Sequence, residues 1–122
     1  MKTPFVKMHG NGNDFVIIDN IKQNFKKDKT LIKKITNRKI GIGCDQLILI
    51  EKSDEYDAFM RIYNNDGSEA EMCGNAARCV ASLLMAGTKK TEIYIETIST
   101  LLNATLEKNN EICLKMAIPE QN

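Results

Sequence analysis

The chain has 122 residues, 43% of them hydrophobic, and its 17 Lys and Arg nearly balance its 16 Asp and Glu to leave a formal net charge of +1. That is one domain's worth of sequence with enough apolar content for a packed core, which excludes a multidomain arrangement within these residues. The clearest basic cluster is Lys26, Lys27, Lys29, Lys33, Lys34, Arg38 and Lys39. It has no interleaved aromatic stacking residues and reads as a solvated helix face, so no nucleic acid is expected as a partner.

Phe15 to Ile18 form the first apolar run and suit a strand. A helix is predicted near Asp28 to Arg38, with Asp28 as its cap, Leu31, Ile32 and Ile35 as an apolar stripe, and lysines elsewhere, so it should lie on the surface. Leu47 to Ile50 is a second apolar strand run, and Ala58, Met60 and Ile62 then alternate with Phe59, Arg61 and Tyr63. From Gly74 to Ala86 the residues after Arg78 carry no charge, and Ala77, Cys79, Val80, Ala81, Leu83, Leu84 and Met85 surround the axis. Such a helix is expected to be buried all round, with Gly87 as its stop. Alternation returns at Ile93 and Ile95 against Glu92, Tyr94 and Glu96. It continues in Leu102, Ala104 and Leu106, then in Ile112, Leu114, Met116 and Ile118, with Asn109-Asn110 suited to a hairpin turn. The pattern is an α+β domain in which a partly antiparallel sheet wraps a central helix.

Nothing at the amino terminus resembles a signal peptide, and no uncharged apolar run approaches the ~18 residues that would suggest a membrane span. A cytoplasmic protein without membrane contact is expected. Cys44, Cys73, Cys79 and Cys113 show neither paired zinc-finger spacing nor a CxxC motif, and His9 is the only histidine. Free thiols are therefore expected, with no metal site and no disulfide framework.

The chemistry concentrates in Asn64 to Cys79, NNDGSEAEMCGNAARC. A turn at Asp66-Gly67-Ser68 leads to Cys73 and Gly74-Asn75 at the mouth of the predicted buried helix. Unpaired N–H groups in a first helical turn attract anions, so a thiolate and a substrate carboxylate are both favoured there. A basic sulfur beside an anion site suits removal of a proton alpha to a carboxylate. Gly74 permits close approach to the backbone, and its N–H and that of Asn75 are the candidate carboxylate donors. Cys44, Cys79 and Cys113 read as core fillers, and His9 and Asp14 as framework. Arg78, one turn into the helix, would either pair with an acid or add positive field near the site.

Asn64-x-Asp66-Gly67-Ser68, four residues, then Cys73-Gly74-Asn75-Ala76-x-Arg78 closely resembles the active-site signature of diaminopimelate epimerase. KMHGNGNDF at Lys7 to Phe15 and GIGCDQLILIE at Gly41 to Glu51 match the same family in order. The resemblance implies a strongly curved, mainly antiparallel, barrel-like sheet enclosing one helix. It also implies conversion of LL- to meso-diaminopimelate without pyridoxal phosphate or another cofactor. In that chemistry Cys73 is one of two cysteines facing each other across the alpha carbon, one taking a proton while the other delivers one. Asn13, Gln46 and Asn64 match substrate-binding positions, and neutral amides can donate to a carboxylate or accept from an ammonium. Ala76 is an allowed variant of a frequent glycine, and Ala117 stands where glycine is common.

The likeness covers essentially the whole chain but only about the first half of the family's length. Residues 1–118 would then form the amino-terminal domain, and 119–122, from Pro119, the start of a crossover to a second domain holding the other cysteine. The alternatives are a truncated, non-catalytic, self-associating domain of the same family, or a related cofactor-independent racemase. A homodimer is expected, because a half lacking its partner exposes cleft surface and strand edges.

Overall fold

In the computed structural model, which describes residues 4–117, the apolar runs become strands of one eight-stranded sheet. The strands are β1 (Val6–Gly10), β2 (Asn13–Asp19), β3 (Gln46–Glu51), β4 (Ala58–Asn64), β5 (Glu69–Ala70), β6 (Glu92–Glu96), β7 (Leu101–Leu106) and β8 (Ile112–Ala117), and the helices are α1 (Lys29–Thr36) and α2 (Gly74–Thr88). Across the sheet the order is β1-β2-β3-β4-β6-β7-β8, with β5 paired to β4 off that path. β2–β3 and β4–β6 are parallel and the other pairs antiparallel, as the mainly antiparallel expectation requires. Parallel neighbours need a long crossover, and α1 and α2 lie in the two crossovers.

The helices pack on opposite faces. α2 touches β1 and β2 near one end of the sheet and β6 and β8 near the other, so the sheet curls around it as a half-barrel. Its Ala76, Ala77, Val80 and Ala81 share the concave core with Phe15, Ile17, Ile48, Met60, Ile62 and Ile95. On the convex face Ile32 of α1 packs with Val16, Ile18, Leu47, Leu49 and Tyr63. β2 and β3 are thus covered on both faces, which is why they read as continuous apolar runs, whereas β6 alternates between buried Ile93 and Ile95 and exposed Tyr94. β4 and β6 share only the register pairs Ala58↔Ile95 and Phe59↔Glu96.

Asp28 caps α1 by accepting from the Thr30 N–H at 3.0 Å, and the buried Thr36 hydroxyl donates to the Ile32 carbonyl at 2.9 Å near its end. Ile32 is buried, whereas Leu31 of the expected stripe is exposed. α2 departs further from expectation. It runs through Gly87 and ends where Lys89 adopts φ 61°, its N–H bonded to the Met85 carbonyl at 2.8 Å. Nor is it buried all round: Arg78, Ser82, Ala86 and Gly87 are exposed. The half-barrel is open on one side, and only one flank of the helix meets it. Asn110, at φ 66°, makes the β7–β8 hairpin turn where Asn109-Asn110 was expected. Because β8 is an edge strand, Met116 is exposed and Leu114 and Cys113 are only half-buried. Cys113 is thus not the core filler its strand pattern suggested. Ile118, the expected domain end at 118 and the crossover from Pro119 lie outside the described residues.

Candidate active site

β2 and β3 run parallel and β4 antiparallel to them, so the starts of β2 and β3 and the end of β4 meet at one margin of the sheet. Asn13, Gln46 and Asn64 occupy those three ends. Side chains alternate along a strand, so Asn13 shares the concave face with Phe15 and Ile17, Gln46 with Ile48 and Ile50, and Asn64 with Ile62 and Met60. All three amides therefore face the side on which α2 packs. Gln46 Nε2 donates to Asn64 Oδ1 at 3.0 Å, Asn64 Nδ2 to Ser68 Oγ at 3.2 Å, and Ser68 Oγ to Asp66 Oδ1 at 2.6 Å. The Asp66 carboxyl is held below its ordinary value by the Ser68 hydroxyl and backbone N–H. Asp66-Gly67 turns the chain, with Gly67 at φ 87° and its N–H bonded to the Asn64 carbonyl at 2.9 Å. A Cβ on this buried glycine would meet Lys29 Cγ at 2.5 Å, so α1 braces the turn from behind.

That turn leads through β5 to the start of α2. Cys73 is the N-cap residue, in extended conformation, and its side chain makes no capping hydrogen bond. The thiol is half-buried and packs at the margin of the concave core. The first bond of the helix is Ala77 N–H to the Cys73 carbonyl at 3.0 Å, so the N–H groups of Gly74, Asn75 and Ala76 have no acceptor within α2. The β1–β2 turn covers this mouth. Asn11, at φ 49°, donates from Nδ2 to Asn75 Oδ1 at 3.1 Å, and Gly10 lies so near Asn75 that an added Cβ would sit 3.4 Å from the Asn75 Cβ. Asn11 was missed in the sequence, where the Gly-Asn-Gly tripeptide signals only a turn. Arg78 makes no ion pair among the described residues. One of its guanidinium nitrogens lies 3.6 Å from where a Gly74 Cβ would be, so it contributes positive field at the mouth.

The remaining residues fall where framework belongs. Cys44 is buried beneath the convex face, and Cys79 is buried in α2 with its Sγ 3.8 Å from the His9 carbonyl. Burial pushes both thiols up. His9 is registered opposite Asp14, away from the amides. Arg38, assigned above to a solvated basic face, is instead an ion-pair residue: Nη1 and Nη2 reach Asp14 Oδ2 and Oδ1 at 2.9 and 2.8 Å, and Nη2 reaches Asp45 Oδ1 at 3.1 Å. The guanidinium holds the Asp14 carboxyl well below the usual carboxylate range, against the opposing effect of burial and with help from the Asp45 backbone N–H.

A depressed folded value means that the stabilisation is fully present above the unfolded carboxyl value of about 3.9 and is lost as pH falls towards the folded one. Unfolding curves from pH 7 to pH 2 should therefore show the wild type losing on the order of 1–2 kcal/mol more than Asp14→Asn below about pH 4, a figure reduced for the half-exposed Arg38. Parallel curves for the two proteins would contradict this.

The diaminopimelate epimerase family model matches residues 5–119. The diaminopimelate epimerase of Nitrosomonas europaea is 44% identical over 122 residues, covering 98% of this chain and 44% of the relative. That of Coxiella burnetii strain RSA 493 is 40% identical over 123 residues, covering 98% and 45%. The chain thus spans less than half the length of the curated relatives it matches. Among solved structures, a methylitaconate-delta-isomerase superposes with TM-score 0.67 at 16% identity over 91% of this chain and 36% of that one. A hydroxyproline epimerase from Agrobacterium vitis gives 0.67 at 14% over 92% and 40%, and a PhzF-family protein of Bacillus anthracis gives 0.64 at 22% over 95% and 40%. At these identities the likeness is one of fold.

Proposed function

The chain belongs to the diaminopimelate epimerase family, and we propose that it forms the amino-terminal half of a cofactor-independent enzyme interconverting LL- and meso-diaminopimelate, with Cys73 as one of two acid–base thiols. One observation carries this: three amides from three strands share the face on which α2 packs, at the margin where an uncommitted thiol and unpaired N–H groups begin that helix. The substrate carboxylate sits on the N–H groups of Gly74 and Asn75, where negative charge developing at the alpha carbon is stabilised by fixed dipoles. The Cys73 thiolate takes the alpha proton from one face. A second thiol gives a proton to the opposite face, which inverts the centre and leaves the two sulfurs with exchanged roles. Cys44, Cys79 and Cys113 lie in other settings, so the second thiol belongs to a domain beyond these residues.

Asn13, Gln46 and Asn64 bind the polar groups of the substrate, which favours diaminopimelate over proline. Titration of the 15N-labelled chain with LL-diaminopimelate should shift the side-chain amide signals of these three residues, and L-proline should not. Chiral chromatography of the same samples should find no meso product at a family-like rate. Equal shifts with proline would sink the substrate assignment. Turnover by the chain alone, lost in Cys73→Ala, would mean that a second copy supplies the opposing acid.

A further inference from the structure

Asn13 and Gln46 each adjoin a carboxylate, since Asp14 follows the first and Asp45 precedes the second. Alternation places the amides on the concave face and turns Asp14, with Val16 and Ile18, to the convex one. There the two strand starts are cross-capped. The Asp14 N–H donates to Asp45 Oδ2 at 3.1 Å, and the Asp45 N–H donates to Asp14 Oδ1 at 2.9 Å and to the Asp14 carbonyl at 3.1 Å. Arg38 closes the arrangement with its fork on Asp14 and its third contact on Asp45, and Lys7 adds a longer pair with Asp14 at 3.5 Å. The loop that carries Arg38 lies tightly against the strand start. Gly43, at φ 82°, passes so near Arg38 that a Cβ would meet its Cα at 2.9 Å.

The first ladder pair of the parallel strands, Phe15↔Gln46, follows directly. A slip of one residue here would carry Asn13 or Gln46 to the convex face, because side chains alternate with a period of two. Gln46 is also held from its other side, by its register with Asn64 and its side-chain bond to Asn64 Oδ1, but the cross-caps and the guanidinium fork are what join the β2 and β3 backbones at the residues next to the amides. We propose that Arg38, Asp14 and Asp45 form a positioning clamp behind the sheet that fixes the register of β2 against β3 and so aims the Asn13 and Gln46 amides into the site. Their role as binding groups rests on the function proposed above, while the clamp itself does not.

The experiment is amide hydrogen exchange by NMR on the whole chain, wild type against Arg38→Gln, followed by titration with LL-diaminopimelate. Loss of the fork should speed exchange at the Asp14 and Asp45 N–H groups by about tenfold or more, the scale expected when hydrogen bonds between charged groups are removed. Exchange at Ile95 and Leu102, across the sheet, should not change. The affinity for LL-diaminopimelate should fall by a similar factor. Arg38→Lys keeps the charge but not the bidentate fork, so it should recover only part of the protection, and it serves for the same comparison should the glutamine variant not fold. Unchanged exchange at Asp14 and Asp45, or an equal rise at Ile95 and Leu102, would overturn the clamp. If the wild type shows no amide shift with LL-diaminopimelate, the functional assignment fails while the exchange data still decide the clamp.

Discussion

On the function proposed above, replacing Cys73 with alanine in the whole two-cysteine epimerase is expected to lower LL-to-meso conversion about 10²- to 10⁴-fold, the range lost when a positioned acid–base group is removed. No other thiol of the chain is placed to substitute. Cys44 is fully buried under the convex face, and Cys79 lies further along α2, bonded weakly to the His9 carbonyl. In both, burial opposes the thiolate. Cys113 sits on the edge strand β8. The fold should survive the change, because the Cys73 side chain makes no capping hydrogen bond whose loss would weaken α2. Chiral chromatography measures the rate, and a thermal melt separates lost chemistry from lost structure. A variant keeping more than about a tenth of wild-type turnover would remove Cys73 from the mechanism.

The second large effect is on stability. Phe15→Ala should cost about 3–5 kcal/mol, the usual range for deleting a buried aromatic side chain. Phe15 is fully buried, lies on the concave face between Met8 of β1 and Gln46 of β3, and reaches the space beside Gly10 under the mouth of α2. No neighbour can fill the void without moving the sheet margin that holds the site. Leu31→Ala on the exposed flank of α1 should cost less than about 1 kcal/mol. Urea unfolding of both variants tests the contrast, and similar losses would contradict the packing described.

Six of the eight strands were legible because their burial leaves a local trace, whereas β1 and β5, largely exposed, were not read as strands. A strand covered on both faces is apolar through its middle, as at Phe15 to Ile18 of β2 and Leu47 to Ile50 of β3, while β6, with one face exposed, alternates. The residues of the candidate site stood out because its cysteine, glycine and amides occur in three short motifs, although nothing local says that three strand ends converge. Long-range facts were hidden. Arg38 resembles its lysine neighbours until folding brings Asp14, 24 residues away in sequence, against it. The uncharged surface of α2 suggested burial, but Ser82, Ala86 and Gly87 are small enough to face water at little cost, so lack of charge did not mean lack of solvent. Met116 follows the alternation of a core strand, and only the sheet order reveals that β8 has no strand on its outer side among the described residues.

The short β4–β6 junction joins two leaves of the sheet, β1 to β5 and β6 to β8, through two register pairs, extended by the Asp57 N–H donating to the Tyr94 carbonyl at 3.1 Å and the Tyr94 N–H to Asp57 Oδ2 at 2.7 Å. The ladder between them is brief, and α2, in contact with strands of both leaves, is a second bridge across it. The helix whose first residues present the thiol therefore also ties together the two halves of the sheet that surround it.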